Sequence, residues 1–111
     1  MVNIETFKNL ALSFPEAVEK PHFEKTSFRI EKGKIYATLD TASAIACLKL
    51  TEIDQSIFCA IDAAIIYPVD NKWGKQGWTL IELKKVKKTI LKDALAKSYE
   101  LAMLKIKAVN T

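Results

Sequence analysis

The chain has 111 residues, of which 50% are apolar, so a single domain can fill its core without metals or disulfides. No stretch approaches the roughly 18 consecutive apolar residues of a membrane-spanning helix. The first residues, MVNIETFKNL, lack the basic segment followed by an apolar segment that is typical of a signal peptide. We therefore expect one cytoplasmic domain over residues 1–111 with no membrane partner. The net charge of +4 divides into −2 over residues 1–83 (9 basic and 11 acidic residues) and +6 over residues 84–111 (8 lysines and 2 acids), which is compatible with a polyanion partner and equally with a solvated lysine face.

A helix and a hairpin are predicted first. Apolar residues recur at helical spacing from Ile4 to Phe14, Asn3 is a candidate N-cap, and the proline that follows ends the helix. The segment EAVEKP is interpreted as a connector. From Phe23 the apolar period changes to two, and the turn EKGK, in which Gly33 can take a positive φ, joins the two strands of a β-hairpin.

The middle of the chain predicts a central strand, a short helix and an edge strand. SAIACLKL is nearly continuous in apolar character, as central strands are. TEID has the form of a capping box, and a helix from there to about Ile61 is expected to turn Ile53, Ile57 and Phe58 inward. IIYP is a brief strand that Pro68 confines to a sheet edge.

The last third predicts a loop, a strand and a long helix. DNKWGKQG is interpreted as a loop, and WTLIEL alternates between two faces as a strand. An amphipathic helix follows from about Val86 to Lys107, with Ile90, Ala94 and Leu101 on its inner stripe. This order predicts an α+β fold, in which an N-terminal helix, a short middle helix and a long C-terminal helix pack on one face of a twisted antiparallel sheet.

The sequence offers no constellation for a cofactor, a metal or catalysis. Its three glycines form no phosphate-binding loop, and His22 is the only histidine. Cys47 and Cys59 lie apart in apolar surroundings, which is typical of buried, unpaired thiols. We therefore expect no cofactor, no bound metal and no enzymatic activity.

The basic run at the start of the long helix is the strongest candidate site. Lys84, Lys85, Lys87 and Lys88 lie where the helix macrodipole is already positive, so exposed cations there are mildly unfavourable, by about 0.3–1 kcal/mol each. A bound phosphate would relieve that conflict. Solvated lysines whose stems cover apolar surface are an equally good interpretation.

The segment KWGKQGW holds both tryptophans of the chain. Trp78 alternates in phase with Leu80 and is predicted to belong to the core. Trp73 lies between Lys72 and Gly74, where it is expected either to fold back as a lid over Pro68 or Tyr67 or to stand exposed and stack on a nucleic-acid base, and the lid is the preferred interpretation.

Four blocks of the sequence resemble the MmcQ/YjbR-like proteins: ALSFPEAVEKPHFEKTSFRIEKGKIYATL, QSIFCAI, YPVDNKWGKQGWTLIEL and AKSYELAMLK, in that order over nearly the whole chain. The most specific parts are LSFP, GKIYATL, the pair Gly77 and Trp78, and the pair Ser98 and Tyr99. The resemblance implies a fold akin to that of the frataxin-like CyaY group and DNA binding through a double wing of hairpins. Frataxin-like iron binding is not expected here, because lysines interrupt the acidic residues of the region 16–25.

Two functions follow as hypotheses, and an enzyme acting on a small acidic metabolite ranks behind both. The first is weak, sequence-nonspecific DNA binding through the phosphate backbone, with these residues as candidates: Lys84, Lys85, Lys87, Lys88, Lys72, Trp73, Lys75, Arg29, Lys32 and Lys34. The alternative is a protein-interaction or self-associating module without a nucleic-acid role. A continuous basic surface would favour the first, and an exposed apolar patch around Trp73, Tyr36 or Tyr67 the second.

Overall fold

A computed structural model of the chain describes the backbone of residues 1–110 and the side chains of residues 1–104. Within these limits the chain forms, in order, α1 (Ile4–Ala11), β1 (Ala17–His22), β2 (Lys25–Ile30), β3 (Ile35–Asp40), β4 (Ile45–Lys49), α2 (Glu52–Cys59), β5 (Ile66–Pro68), α3 (Lys72–Lys75), β6 (Trp78–Glu82) and α4 (Lys88–Asn110).

The strands form one antiparallel sheet in the order β1-β2-β3-β4-β6-β5. Cross-strand partners point to the same face of a sheet, so a buried row identifies the face that the helices cover. That row consists of Phe28, Ala37, Leu48 and Thr79, each 0% exposed. We call this the covered face: α4 packs on β3 and β4, α1 contacts α4, and α2 contacts β5. We call the opposite side the open face, and of the described helices only the short α3 lines its groove.

Buried hydrogen bonds tie both terminal helices to β3. The Tyr36 hydroxyl, fully buried, donates to the carbonyl of Ala11 in α1 at 2.5 Å, and the Ser98 hydroxyl of α4 donates to the Tyr36 carbonyl at 2.5 Å. Next to Ser98, the Tyr99 ring stacks on Phe14 with 4.6 Å between ring centroids. The Ser98–Tyr99 pair therefore holds α4 against β3 and the N-terminal segment.

The predicted α+β class, with its three main helices on one face of an antiparallel sheet, is confirmed. Asn3 caps α1 by accepting from the Thr6 N–H, and Thr51 caps α2 by accepting from the Asp54 N–H. The hairpin, the central position of β4 and the edge position of β5 also agree with the sequence patterns.

Four local predictions were wrong. EAVEKP is largely strand β1, because its backbone completes the ladder with β2. The positive φ of the β2–β3 turn belongs to Lys32, at 62°, and not to Gly33. DNKWGKQG contains the helical turn α3. In α2, Ile53 and Ile57 point into solvent, 74% and 57% exposed, and only Phe58 of the expected inner set is buried.

No helix in the described part of the chain combines the length and the apolar character needed to span a membrane.

Candidate functional site

The open face of the sheet carries a groove of about 880 Å³. Its floor is built from the side chains of Thr38, Cys47 and Leu80, which are cross-strand neighbours on β3, β4 and β6. The groove runs diagonally, from the β1–β2 turn at one corner of the sheet to α3 at the opposite corner. We place the candidate site in this groove, because it is an accessible, largely apolar concavity between two projecting corners of the sheet.

The first corner presents an aromatic ring to solvent. Phe23 is 95% exposed and occupies the tight turn between β1 and β2 with a φ of 59°, a region that bulky residues rarely adopt. The His22 ring packs edge to face on the Phe23 ring, with 4.9 Å between the ring centroids, and Lys25 lies on the groove wall. A strained turn that holds a fully exposed aromatic ring suggests a role in contact with a ligand.

The second corner holds Trp73, and close backbone packing fixes its position. Asn71 caps α3 by accepting from the Trp73 N–H at 2.8 Å, and a Cβ on Gly74 would come within 1.9 Å of the Val69 carbonyl oxygen. Gln55 of α2 donates its side-chain amide to the Gly74 carbonyl at 3.0 Å. Trp73 is thus held on the groove wall while 49% of it stays exposed.

The prediction that Trp78 belongs to the core is wrong, and of the two alternatives for Trp73 the exposed one agrees with its 49% exposure. Trp73 lines the groove beside Val69 and Leu80. Trp78 opens β6 as expected, but it is outside the buried core: it is half-buried and shares the open face with Leu80, because Thr79 and Ile81 take the covered face. Both tryptophans of the chain therefore line one groove.

Each tryptophan has a lysine ammonium near its ring. Lys72 Nζ lies 5.5 Å from the centroid of the Trp73 ring, and Lys49 Nζ lies 5.8 Å from that of Trp78. Cation–π contacts of this length contribute about 0.5–1 kcal/mol at exposed sites. The Lys49 ammonium also donates to the Gln76 carbonyl, so it bridges the sheet to the α3 segment.

The thiol in the floor is unreactive. Burial raises the pKa of Cys47 to about 11, although Lys25 and the Thr79 backbone act in the opposite direction. The thiol is therefore protonated at neutral pH and acts as an apolar contact, not as a nucleophile. In the described part of the chain no three His, Cys, Asp or Glu side chains come together as a metal site.

The ten residues predicted to bind nucleic acid lie in two separate groups. Strand pairing places Lys49 and Trp78 at one end of the sheet and Ile45 and Glu82 at the other. At the tryptophan end lie Lys72, Trp73, Lys75, Arg29, Lys32 and Lys34. At the Glu82 end lie Lys84, Lys85, Lys87 and Lys88. A five-residue strand, about 17 Å long, separates the groups, so these ten residues form no continuous basic surface.

The four lysines at the Glu82 end are exposed. Lys85 pairs with Glu82 at 3.3 Å, and Glu82 also accepts a hydrogen bond from the Tyr67 hydroxyl at 2.8 Å. These contacts, first that with Tyr67, lower the pKa of the Glu82 carboxyl. One of the four cations is therefore already matched by an acid.

The cations at the tryptophan end differ in orientation. Arg29 points along the open face and donates to the Ser27 hydroxyl at 3.1 Å, so it does not project from the β2–β3 turn as a wing residue would. Lys32 and Lys34 are exposed at that turn, and Lys72 and Lys75 are exposed on α3.

Sequence reasoning missed Phe23, Lys25 and the floor residue Cys47. Phe23 looked like the beginning of an apolar strand, and only the two-residue turn that begins after His22 exposes it. One available signal was the group HFEK directly before a strand-like segment, which places an aromatic residue beside a glutamate and a lysine.

Comparison with known proteins identifies the chain's relatives. The family model YjbR matches residues 12–101. The chain belongs to the YjbR family. This match covers most of the chain and includes the groove, the α3 segment and the lysines at the Glu82 end.

One solved structure shares the fold. A crystal structure of the Deinococcus radiodurans protein DR2400, described by the domain family DUF419, aligns with a TM-score of 0.79 at 21% sequence identity. The alignment covers 91% of the YjbR chain and 78% of that protein. At this identity the likeness concerns the fold alone. No curated protein matches the sequence.

Proposed function

We propose that this YjbR protein binds single-stranded DNA, with little sequence preference, in the groove of the open sheet face. The observation that carries the proposal is that both tryptophans and the exposed Phe23 line this groove. Proteins that bind single strands without reading sequence combine aromatic rings, on which bases stack, with cations that follow the phosphates. The groove has both kinds of group.

The aromatic residues are spaced along the groove instead of forming one cluster. Phe23 stands at the β1–β2 corner, Trp73 at the α3 corner, and Trp78 between the floor and α3. Successive bases of a flexible strand can therefore each meet a ring. A duplex keeps its bases stacked on each other, so it has no faces to offer to these rings.

Cations on the same surface can contact the phosphates. Lys25 lies on the groove wall beside Phe23, and Lys72 lies beside Trp73. Glu24 is the acid in the groove lining and offsets part of this charge. The balance supports weak and salt-sensitive binding.

The experiment is a titration of a labelled oligothymidine with the protein at low and at physiological salt, followed by anisotropy and by the intrinsic tryptophan fluorescence. Because both tryptophans line the groove, the proposal predicts quenching of that fluorescence on binding. Replacing Trp73 by alanine is expected to cost about 1–3 kcal/mol of binding free energy. Phe23→Ser is expected to weaken binding without changing stability, since the side chain is 95% exposed.

The control is a variant in which Lys84, Lys85, Lys87 and Lys88 are all changed to glutamine. These residues lie outside the groove lining, at the end of the sheet opposite the tryptophans, so the groove model predicts that most of the single-strand affinity survives. Loss of binding in this variant, together with normal binding by Trp73→Ala, would mean that the binding site lies at the start of α4 and not in the groove. Equal affinity for a duplex of the same sequence would rule out stacking as the mechanism.

A further inference from the structure

A second surface, remote from the groove's floor, has a different character. Ile53, Ile57 and Ile61 are 74%, 57% and 51% exposed, and their spacing of four residues places them on one side of α2 and its C-terminal turn. We call these three side chains the isoleucine stripe. Scattered exposed apolar residues are common. Three large apolar side chains in a row over two helical turns instead form a patch whose exposure to water is unfavourable in free energy.

The stripe is not a by-product of a misplaced helix. α2 is anchored from its other side, where Phe58 enters the core and Gln55 bonds to the backbone of Gly74 and the hydroxyl of Thr79. The helix cannot rotate to bury Ile53 and Ile57 without breaking these bonds. The stripe is therefore presented outward by the fold itself.

The charges around the stripe indicate what can cover it. Between Thr51 and Asn71 the sequence contains Glu52, Asp54, Asp62 and Asp70 and no lysine, arginine or histidine. Glu52 and Asp54 flank Ile53 directly, and within the described side chains none of the four acids forms an ion pair. The rest of the chain carries 17 basic and 9 acidic residues, so this acidic region differs in charge from the remainder of the protein, which is basic.

We propose that the isoleucine stripe is the docking site for an amphipathic helix of a protein partner, whose apolar side faces the isoleucines and whose lysines or arginines meet the surrounding acids. Helices recognise such stripes through residues at positions i, i+3 or i+4, and i+7. An isologous pair of copies would bring the acids around one stripe (Glu52, Asp54 and Asp62) toward the acids around the other, and like charges there oppose pairing. An anionic membrane surface is disfavoured by the same acids.

The probe is a synthetic helical peptide with leucines at i, i+4 and i+7 and lysines on both flanks, labelled for anisotropy. Its control has the same leucines with glutamates in place of the lysines. We expect micromolar binding of the basic peptide, at least tenfold weaker binding of the acidic one, and a fall in affinity with rising salt. Ile57→Gln is expected to raise the Kd of the basic peptide at least tenfold, while Thr41→Gln, at an exposed position in the β3–β4 turn away from α2, leaves the Kd unchanged.

Other results would overturn the proposal. Equal binding of both peptides would mean that the acids play no part, and absence of binding would mean that the stripe is not a helix-docking site. Concentration-dependent dimerisation of the wild type in analytical ultracentrifugation, abolished by Ile57→Gln, would assign the stripe to a second copy of the chain. None of these outcomes bears on the groove, because α2 lies toward the covered face.

Discussion

Replacing Gly77 by alanine tests the close packing that positions the groove's α3 corner. Gly77 has a φ of 106°, and a Cβ added there would lie 1.8 Å from the carbonyl oxygen of Leu50. Real Cβ contacts are not shorter than 3.0 Å, so the two segments must separate by at least 1.2 Å, the difference between those distances. Such a shift weakens the bond that the Leu50 N–H donates to the Gly77 carbonyl at 3.0 Å.

The expected cost combines two effects. A non-glycine residue held in an unfavourable backbone region costs about 1–3 kcal/mol, and loss of one hydrogen bond costs about 0.5–1.5 kcal/mol. The free energy of unfolding should therefore fall by about 1.5–4.5 kcal/mol, out of the roughly 5–15 kcal/mol of a typical domain. For a domain of this size each kcal/mol corresponds to about 4–8 °C in Tm.

Urea denaturation followed by circular dichroism measures this loss, and tryptophan fluorescence reports on the same segment because Trp78 is the next residue. Gly33→Ala is the matched control: Gly33 lies outside the positive-φ region, so alanine there is expected to be neutral or to stabilise by about 0.4–1 kcal/mol. If the two variants unfold at the same urea concentration, the close approach of Gly77 to Leu50 is not a feature of the folded protein.

Further predictions concern the buried polar groups and the groove floor. Tyr36→Phe leaves the Ala11 carbonyl without its buried donor, and we expect a loss of about 1–3 kcal/mol in urea denaturation, with a native circular dichroism spectrum. Gln55→Ala removes the amide that holds α3, so Trp73 is expected to show a red-shifted emission and faster quenching by acrylamide, whereas an unchanged spectrum would count against this anchor. The pKa of Cys47 rises from 9.0 to about 11 on folding, so its contribution to stability is complete below pH 9 and is lost as the pH increases toward 11. Alkylation of this thiol by iodoacetamide should accordingly be much slower in the native protein than in urea at pH 8, and equal rates would contradict the raised pKa.

Local sequence patterns were sufficient wherever one short segment controls the structure. The caps at Asn3 and Thr51, the apolar run of β4, the alternation of β6 and the proline-limited edge strand were all predictable, because each depends on residues within a few positions. The family was recognisable for a similar reason, since its blocks keep their order along the chain.

Which side chains of an element point to the core, in contrast, was decided by the tertiary structure. The pattern of α2 is compatible with burying either Ile53 and Ile57 or Phe58, and the anchor of Gln55 on the α3 segment selects Phe58. Trp78 alternates correctly in β6, but which face of the sheet the helices cover cannot be read from β6 alone. The core prediction for Trp78 failed on that point.

The candidate site was likewise assembled only by the fold. Sequence proximity grouped the lysines of residues 84–88 with the loop at Lys72 and Trp73. Strand β6 lies between these two groups, and the two ends of a strand are a strand length apart. The groups therefore lie at opposite ends of the sheet. Phe23 and Trp73, fifty residues apart in sequence, meet the same groove because the order β1-β2-β3-β4-β6-β5 places their turns at opposite corners of one face. The sequence by itself thus determined most of the elements, the fold class and the family, but not β1 or α3, while the pairing order and the choice of covered face determined which side chains share a surface.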